Sequence, residues 1–337
     1  MTSSDRTGTR AVVLLQFGGP DSLEAVEPFL FNLFNDADIV ELPFGPRFQR
    51  FLARQISKRR APSVREKYAE IGGRSPIVEK TEAQVRALQA YLDEHHPEAR
   101  ASVRLAGRYW KPFTSQTIAE LKRDGITEVV LLPLYAQFGK TNAGSSFNEW
   151  DRELARQGVC FTERRIREYY KHPKYLAALN ARIEEGLAHF EHPEKVFLLF
   201  SAHGTPVDMV ERGDPYSHQI RETMELLMDL RGRDHHYTLS YQSKVGPKRW
   251  LTPSTTKTIR ELGRLGMTDV LVIPIAFVSD HIETLHELDI EERETAEKAG
   301  IHHFRVMTGL NDHPLFIECL ADVAMKELSA LSYTTTD

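Results

Sequence analysis

The sequence has few cysteines and no long apolar run, and both absences narrow the class of protein. Two cysteines, Cys160 and Cys319, stand far apart among 337 residues, which excludes a disulfide framework and a CxxC metal site. No apolar stretch approaches the roughly 20 residues that span a bilayer. The short run AVVLL near the N-terminus ends in GGP without a signal-peptide cleavage site, so we interpret it as a first strand. We therefore predict a cytoplasmic protein.

A basic surplus and the common nucleotide and zinc motifs are also absent. The 43 Lys and Arg residues do not exceed the 48 Asp and Glu residues, and the net charge is −5, which disfavours a nucleic-acid partner. Neither GxGxxG nor a P-loop occurs, so a Rossmann dehydrogenase lacks its glycine fingerprint here. HExxH is missing as well, which excludes that class of zinc hydrolase.

An internal repeat organises the chain. The segment PFTSQTIAELKRDGITEVVLLPLYA at 112–136 aligns without gaps with PSTTKTIRELGRLGMTDVLVIPIAF, which lies 141 residues later. Each copy shows helical periodicity up to a Gly and then a β-branched apolar run, as in a parallel α/β unit. A weaker match pairs the apolar runs at 12–20 and 197–206. We predict an α/β protein of two similar, doubly wound, Rossmann-like halves from a duplication, rather than a chance likeness, with a cleft between them.

The two matches have different offsets, which indicates an insertion without fixing its exact position. The first half carries about 45 extra residues after its first strand, and the aromatic and basic segment 41–62 is the candidate. We predict an N-terminal half at 1–170 that includes this insertion, at about 41–77, and a C-terminal half at 171–337.

Titratable residues follow two predicted strands of the second half, where open parallel sheets bind ligands. His203 closes the apolar run LFSAH, and an acidic segment follows the apolar run at 270–278. A neutral imidazole accepts protons near pH 7, and His with Glu suits ferrous iron or zinc. A buried core histidine and a solvated acidic helix face are the alternatives at this stage. On a helix, three of the acidic residues would lie along one side: Glu283, Glu287 and Glu291.

Aromatic and cationic residues form a second candidate set, at or near predicted strand ends. They suit a large, flat, apolar ligand with acidic side chains, because Arg pairs well with carboxylates. Ordinary core packing is the alternative for about half of the aromatic residues. The set comprises Phe17, Tyr109, Trp110, Tyr135 and Trp250, with Arg60, Arg108 and Lys111.

At these positions the sequence resembles the ferrochelatase family. The matching motifs include QFGGPDS, RYWKP, LFSAHGTPVDMVERGDPY and IPIAFVSDHIETLHELDIE, which occur in the family's order from about residue 11 to residue 325. The resemblance implies a lyase that inserts ferrous iron into protoporphyrin IX to give protohaem, the terminal step of haem biosynthesis. It also implies two Rossmann-like domains with the porphyrin between them.

The resemblance implies roles for individual residues. His203 and Glu283 would be the inner metal site and the proton acceptors, and Asp280 and His281 would surround them. Glu287 and Glu291 would continue an acidic line on a π-helical segment, a form common at functional sites. Seven positions are predicted to contact the porphyrin: Phe17, Arg60, Tyr68, Ser75, Arg108, Tyr109 and Trp250.

The resemblance also bears on cofactors and partners. Some members hold an iron–sulfur cluster through cysteines, mostly in a C-terminal extension, whereas this sequence ends in LSYTTTD. We expect no cluster and no permanently bound cofactor, with porphyrin and ferrous iron as substrates. Segment 41–62 resembles the family's mobile lip, which is compatible with peripheral membrane contact. We expect a monomer or weak dimer. The alternatives are a coproporphyrin ferrochelatase, another tetrapyrrole metal chelatase, and a bilobed haem- or metal-binding protein.

Overall fold

The computed structural model describes residues 9–40, 45–244 and 248–333, without the side chains of residues 332 and 333. Parts of two predicted segments therefore lie outside the described residues: positions 41–44 of the lip and positions 245–247 before Trp250. None of the helices in the described ranges is long and apolar enough to cross a membrane.

The first sheet has four parallel strands in the order β2-β1-β3-β4. The central strand β1 is buried along its apolar run from Ala11 to Leu15, as expected for a parallel strand covered by helices on both faces. The elements are β1 (Arg10–Gln16), α1 (Val26–Phe34), α2 (Gly45–Glu70), α3 (Ile77–His95), β2 (Ala101–Gly107), α4 (Thr114–Arg123), β3 (Glu128–Pro133), a π-helix (Lys140–Gly144), α5 (Ser145–Gln157) and β4 (Thr162–Arg165).

The second sheet repeats this topology in the order β6-β5-β7-β8, again with parallel pairing throughout. Its elements are α6 (Pro173–Leu187), β5 (Phe197–His203), α7 (Val207–Glu211), α8 (Tyr216–Leu230), β6 (Tyr237–Gln242), α9 (Thr255–Arg264), β7 (Asp269–Pro274), a π-helix (Glu283–Glu291), α10 (Glu292–Lys298) and β8 (His303–Val306), followed by α11 (Pro314–Tyr333). Short 3₁₀ turns lie at Pro97–Ala99 and Pro193–Lys195.

The two sheets confirm the predicted fold class and follow the sequence repeat closely. The pair α4–β3 and the pair α9–β7 begin and end at positions 141 residues apart. A π-helix follows the third strand of each sheet. Among the described residues, three α-helices and a 3₁₀ turn connect β1 to β2, whereas two α-helices connect β5 to β6, so the extra segment of the first half lies in this connection.

The chain forms two compact units that differ in one respect from the predicted halves. One unit comprises Met1–Tyr169 and Phe316–Asp337, and the other comprises Tyr170–Leu315. The boundary lies one residue from the predicted division at 170/171, but the C-terminal residues group with the first unit instead of the second. Within that unit the ring of Tyr169 lies 6.4 Å from the ring of Phe316, and Phe316 is fully buried. The C-terminal residues belong to the first unit because of how α11 packs, and the periodicity of the sequence does not show against which segment a helix packs.

Candidate active site

The functional candidates of the second unit lie at the carboxyl edge of its sheet. In the order β6-β5-β7-β8 the chain moves to opposite sides of β5, so the topological switch point lies between β5 and β7. In doubly wound folds this is where ligands bind. His203 is the last residue of β5, and the loop after β7 leads into the π-helix that begins at Glu283.

The His203 ring is oriented by a backbone carbonyl. Its Nδ1 lies 2.7 Å from the carbonyl oxygen of Gly204, and because a carbonyl only accepts, Nδ1 carries the proton. In the neutral ring the lone pair is then on Nε2, which lies 3.6 Å from Glu283 Oε1. The side chain is 36% exposed, so Nε2 is a basic nitrogen that an incoming ligand or metal ion is able to reach.

A second histidine contacts the same carboxylate. His281 Nε2 lies 3.1 Å from Glu283 Oε2, and its Nδ1 lies 2.9 Å from the carbonyl oxygen of Ser279. Both partners accept hydrogen bonds, so the doubly protonated imidazolium satisfies both. Burial by itself lowers the pKa of His281, but the hydrogen bond and charge of Glu283 outweigh burial, and the net pKa is raised.

Glu283 is consequently held in its ionised form. Burial raises the pKa of this carboxyl group, whereas the neighbouring His203 and His281 lower it, and the net direction is downward. The result is a carboxylate flanked by two imidazoles: that of His281, which also contacts the Ser279 carbonyl, and that of His203, whose neutral ring carries its lone pair on Nε2. Such an arrangement suits cation binding and the stabilisation of a protonated His203.

The loop before the π-helix is fixed by Asp280. Its carboxylate accepts hydrogen bonds from Asn311 Nδ2 at 2.7 Å and from the Gly309 N–H at 3.0 Å, and the Asp280 side chain is buried. A Cβ atom at Gly309 would lie 2.9 Å from the Asp280 nitrogen, so only glycine permits this approach. Asp280 therefore fixes the loop that carries His281 and Glu283.

Glu287 follows Glu283 along the π-helix, and its carboxylate accepts two hydrogen bonds from the residue directly after β6. The residue after that strand, Ser243, donates to Glu287 through its N–H at 2.8 Å and through its hydroxyl at 2.6 Å. Burial and the nearby Glu283 carboxylate raise the pKa of Glu287, and the two bonds from Ser243 oppose that rise without cancelling it. Sequence reasoning missed Ser243, because no motif marks it.

The π-helical form of this segment, which the resemblance implied, is confirmed over Glu283–Glu291. A π-helix bonds residue i to i+5 and not to i+4. The side chain of Glu291 is 44% exposed and lies 3.7 Å from the ring of His286, five residues earlier. Glu291 is more exposed than Glu283, whose side chain is 26% exposed, and the alignment of Glu283, Glu287 and Glu291 along one side of the helix stays a prediction.

The first unit places aromatic rings at the equivalent edge of its own sheet. Phe17, directly after β1, lies 4.9 Å from the ring of Tyr135 and 5.3 Å from the ring of Tyr109. Phe17 is partly exposed, whereas Tyr109 is fully buried beneath it. Burial raises the pKa of the Tyr109 hydroxyl well above its ordinary value, so the group stays protonated and donates to Asp36 Oδ2 at 2.6 Å.

Arg108 is occupied by the protein itself. Its Nη2 lies 2.7 Å from Asp36 Oδ2, and its Nε donates to Ser145 Oγ at 3.0 Å, with only 9% of the side chain exposed. Ser145 in turn donates to the same Asp36 oxygen at 2.8 Å. Arg108 therefore supports the ring of Tyr109, over which it lies at 4.9 Å, and is not free to pair with a ligand carboxylate in this structure. Sequence reasoning also missed Asp36.

Comparison with known proteins decides the family. The ferrochelatase family model matches residues 9–328. The chain is 48% identical to a ferrochelatase of Geotalea uraniireducens over 95% of this chain and 98% of that protein. It is 47% identical to a ferrochelatase of a Picosynechococcus species over 95% of this chain and 83% of that protein. This chain belongs to the ferrochelatase family. Ferrochelatases are lyases that insert iron into a porphyrin in haem biosynthesis.

A solved structure supports the fold. SirB from Bacillus subtilis, determined with Fe³⁺, superimposes with a TM-score of 0.54 over 97% of this chain and 98% of that one, at 11% sequence identity. A second SirB structure, described as a sirohydrochlorin chelatase in complex with cobalt, gives the same score. At this identity the likeness is one of fold: ferrochelatase and SirB share the Rossmann-like chelatase architecture.

The remaining porphyrin positions predicted from the ferrochelatase resemblance differ in accessibility. Arg60 is exposed on α2, with its guanidinium 5.5 Å from the centre of the Phe34 ring. Tyr68 and Ser75 are both 3% exposed, and Ser75 packs so closely on Gly19 that a Cβ atom there would lie 2.5 Å from its hydroxyl. Trp250 is half-buried and packs its ring against Gly204, next to His203.

The described ranges 9–40, 45–244 and 248–333 contain no group of three or more His, Cys, Asp or Glu side chains arranged to hold a metal ion. His203 Nε2 and Glu283 Oε1 face each other at 3.6 Å, and their role as metal ligands stays a prediction.

Proposed function

We propose that this chain inserts ferrous iron into protoporphyrin IX to give protohaem, the terminal step of haem biosynthesis. Membership of the ferrochelatase family supports the reaction class. The observation that carries the assignment of the chemistry is the lone-pair-bearing Nε2 of His203, 3.6 Å from the carboxylate of Glu283 at the switch point of the sheet.

His203 is the proposed base. Metal insertion requires both pyrrole N–H protons to leave, because nitrogen ligands bind metal only when deprotonated. Nε2 of His203 accepts one of these protons while Nδ1 keeps its bond to the Gly204 carbonyl. The ring is then an imidazolium, and the Glu283 carboxylate stabilises it by charge. The other proton leaves in a second step, for which Glu283 is the proposed acceptor once His203 has released the first to solvent. His281, whose Nε2 lies 3.1 Å from Glu283 Oε2, fixes Glu283 in that position.

Phe17 and Trp250 are the proposed apolar porphyrin contacts, because both keep exposed ring surface. Arg60 is the proposed partner of a propionate, since its guanidinium is exposed and stacked on Phe34. Tyr68, Ser75, Arg108 and Tyr109 are buried, and of these Tyr109 packs its ring 5.3 Å from the ring of Phe17. Ferrous iron is a substrate, and we propose that the enzyme works without a resident cofactor or iron–sulfur cluster.

The deciding experiment is anaerobic insertion with ferrous iron and either protoporphyrin IX or coproporphyrin III, followed by porphyrin fluorescence. Faster quenching with protoporphyrin IX supports the proposal, and faster quenching with coproporphyrin III assigns the coproporphyrin branch. Porphyrin binding without quenching above the uncatalysed rate would make the chain a binding protein instead. His203→Ala should lose at least about 100-fold in kcat, as expected for a general base.

A matched control for that variant is His218→Ala, in the same unit, because its side chain is 78% exposed and distant from β5 in sequence. Both variants should retain the thermal unfolding midpoint of the wild type. Near-normal turnover of His203→Ala would refute the assigned base.

We also propose that the chain is a cytoplasmic monomer or weak dimer that touches anionic membranes through α2. Along Gly45–Glu70 every fourth residue from Gln49 to Ala61 is buried, so the opposite face is solvent-exposed and carries Phe51, which is 56% exposed. The exposed basic residues are Arg47, Arg50, Arg54, Lys58, Arg59 and Arg60. A basic helix face with an aromatic anchor suits an anionic interface.

Sedimentation with phosphatidylglycerol vesicles tests this contact, with phosphatidylcholine vesicles as control. Replacing Arg47, Arg50 and Phe51 together with Gln should abolish sedimentation, whereas equal sedimentation with both lipids would refute an electrostatic contact. Light scattering during gel filtration measures the oligomeric state.

A further inference from the structure

Asn311, which no motif identified, lies in the loop between β8 and α11 and bonds back to the exit of β7. Its side chain is buried, and its N–H donates to the carbonyl of Val278 at 2.8 Å. Its amide pairs twice with Asp280: Asn311 Nδ2 donates to the Asp280 carboxylate at 2.7 Å, and the Asp280 N–H donates to Asn311 Oδ1 at 3.0 Å. Because an amide supplies both a donor and an acceptor, one side chain holds the backbone and the side chain of Asp280.

The contacts continue from Asp280 to the first turn of the π-helix. The hydroxyl of Thr284 lies 3.3 Å from Asp280 Oδ1 and accepts the N–H of His281 at 3.0 Å. Thr284 is buried and directly follows Glu283 in the chain. The bonds that begin at Asn311 therefore reach the residues on both sides of Glu283 along the loop, and all of these residues belong to the unit Tyr170–Leu315.

The backbone of Asn311 limits which residues this position accepts. Its φ is 48°, in the left-handed region, where asparagine and aspartate are the most frequent residues after glycine. Of these three residues, asparagine supplies the donor that the Asp280 carboxylate accepts and the acceptor that the Asp280 N–H requires. The backbone and the hydrogen bonds thus favour the same side chain.

We propose that Asn311 is a positioning residue for metal insertion, which places the Glu283 carboxylate opposite His203 by holding Asp280. The proposal rests on the proposed function, because that function assigns the proton transfers to His203 and Glu283. These two side chains act across 3.6 Å, and a displacement of about 1 Å at a reacting group is able to cost about 100-fold in rate. Asn311 itself acts through Asp280 and transfers no proton.

The variant Asn311→Asp tests the pairing without changing the size of the side chain or the preferred backbone. It replaces the donor that faces the Asp280 carboxylate with a second carboxylate oxygen. We expect kcat to fall about tenfold, as for other residues that hold a site from behind, with KM for protoporphyrin IX within twofold of the wild type. The matched control is Asn180→Asp in the same unit, because Asn180 Oδ1 accepts from Arg231 and a carboxylate keeps that bond. Its kcat should stay within twofold of the wild type.

A second substitution should rescue the first. Asp280→Asn by itself places an amide donor against either Asn311 Nδ2 or the Gly309 N–H, so its kcat should also fall about tenfold. Combined with Asn311→Asp, it exchanges donor and acceptor, and every hydrogen bond between the two positions again joins a donor to an acceptor. We expect the double variant to return to within about threefold of the wild-type kcat, which is the non-additivity of residues in direct contact. A double variant as slow as either single variant would overturn the proposal.

Crystal structures of these variants provide a readout that does not depend on turnover. The distance between His203 Nε2 and Glu283 Oε1 should lengthen in both single variants and return in the double variant. Asn311→Gly suits the positive φ and adds no charge, so it should show the same loss of kcat even if Asn311→Asp folds poorly. An unchanged distance or an unchanged kcat in Asn311→Gly would contradict a positioning role. If the wild type fails to insert metal, the proposed function is what fails, and the distances still report whether Asn311 places Glu283.

Discussion

Asp36 Oδ2 lies 2.7 Å from the guanidinium of Arg108, and both side chains are more than nine-tenths buried. A buried guanidinium without its partner is costly, so Asp36→Asn should lower the free energy of unfolding by about 3 kcal/mol. Asp38→Asn is the matched control, because Asp38 is 4.0 Å from the same group and 20% exposed. We expect a loss of less than about 1 kcal/mol there. Denaturant unfolding measures both, and equal losses would contradict a specific Asp36–Arg108 pair.

The pKa shift of His281 predicts a stability that depends on pH. The raised pKa means that the His281–Glu283 pair contributes fully below the ordinary histidine value of about 6.5 and is lost as pH rises through the higher folded pKa. His281→Asn removes this titration. The stability difference between wild type and variant should therefore shrink by about 1 kcal/mol between pH 6 and pH 9. A difference that is constant over this range would show that His281 is neutral.

Ser243 tunes the carboxyl group of Glu287. Its hydroxyl bond lowers the pKa of Glu287, so Ser243→Ala should raise that pKa and shift the acidic limb of the pH–rate profile of insertion upward. Ser243 has a φ of 62°, which glycine adopts more easily than alanine. Ser243→Gly should therefore show the same pH shift with better stability. Unchanged profiles in both variants would exclude Glu287 from the rate-determining proton transfers.

Arg60 should act on porphyrin affinity alone. Its guanidinium is exposed and lies over the Phe34 ring, so Arg60→Ala should raise KM for protoporphyrin IX about tenfold, equivalent to about 1.4 kcal/mol, with little change in kcat or stability. Arg60→Lys keeps the charge without the planar fork and should give an intermediate KM. Arg54→Ala, on the same helix and also exposed, is the control and should leave KM unchanged. A similar KM for all four proteins would remove Arg60 from the porphyrin site.

Much of the fold was predictable because it depends on local pattern. The helices α4 and α9 end two residues before the Gly positions that the repeat indicated, and β3 and β7 end at its Pro positions, since helix stops and buried strands leave their signatures in a few adjacent residues. The location of His203 and Glu283 after two strands of one half also follows from local pattern. Parallel topology then accounts for their proximity, because the carboxyl ends of neighbouring strands meet at one edge.

The amino-acid sequence by itself determined the repeated α/β architecture, the family and the positions of the two residues that face each other at 3.6 Å. Only the tertiary structure decided which amide holds Asp280, which carboxylate holds Arg108 and to which unit the C-terminal helix belongs. The physical reason is the range of the interactions. Periodicity reports the burial of a residue relative to its near neighbours, whereas the Asp280–Asn311 pair and the buried ion pair depend on contacts between segments far apart in the chain.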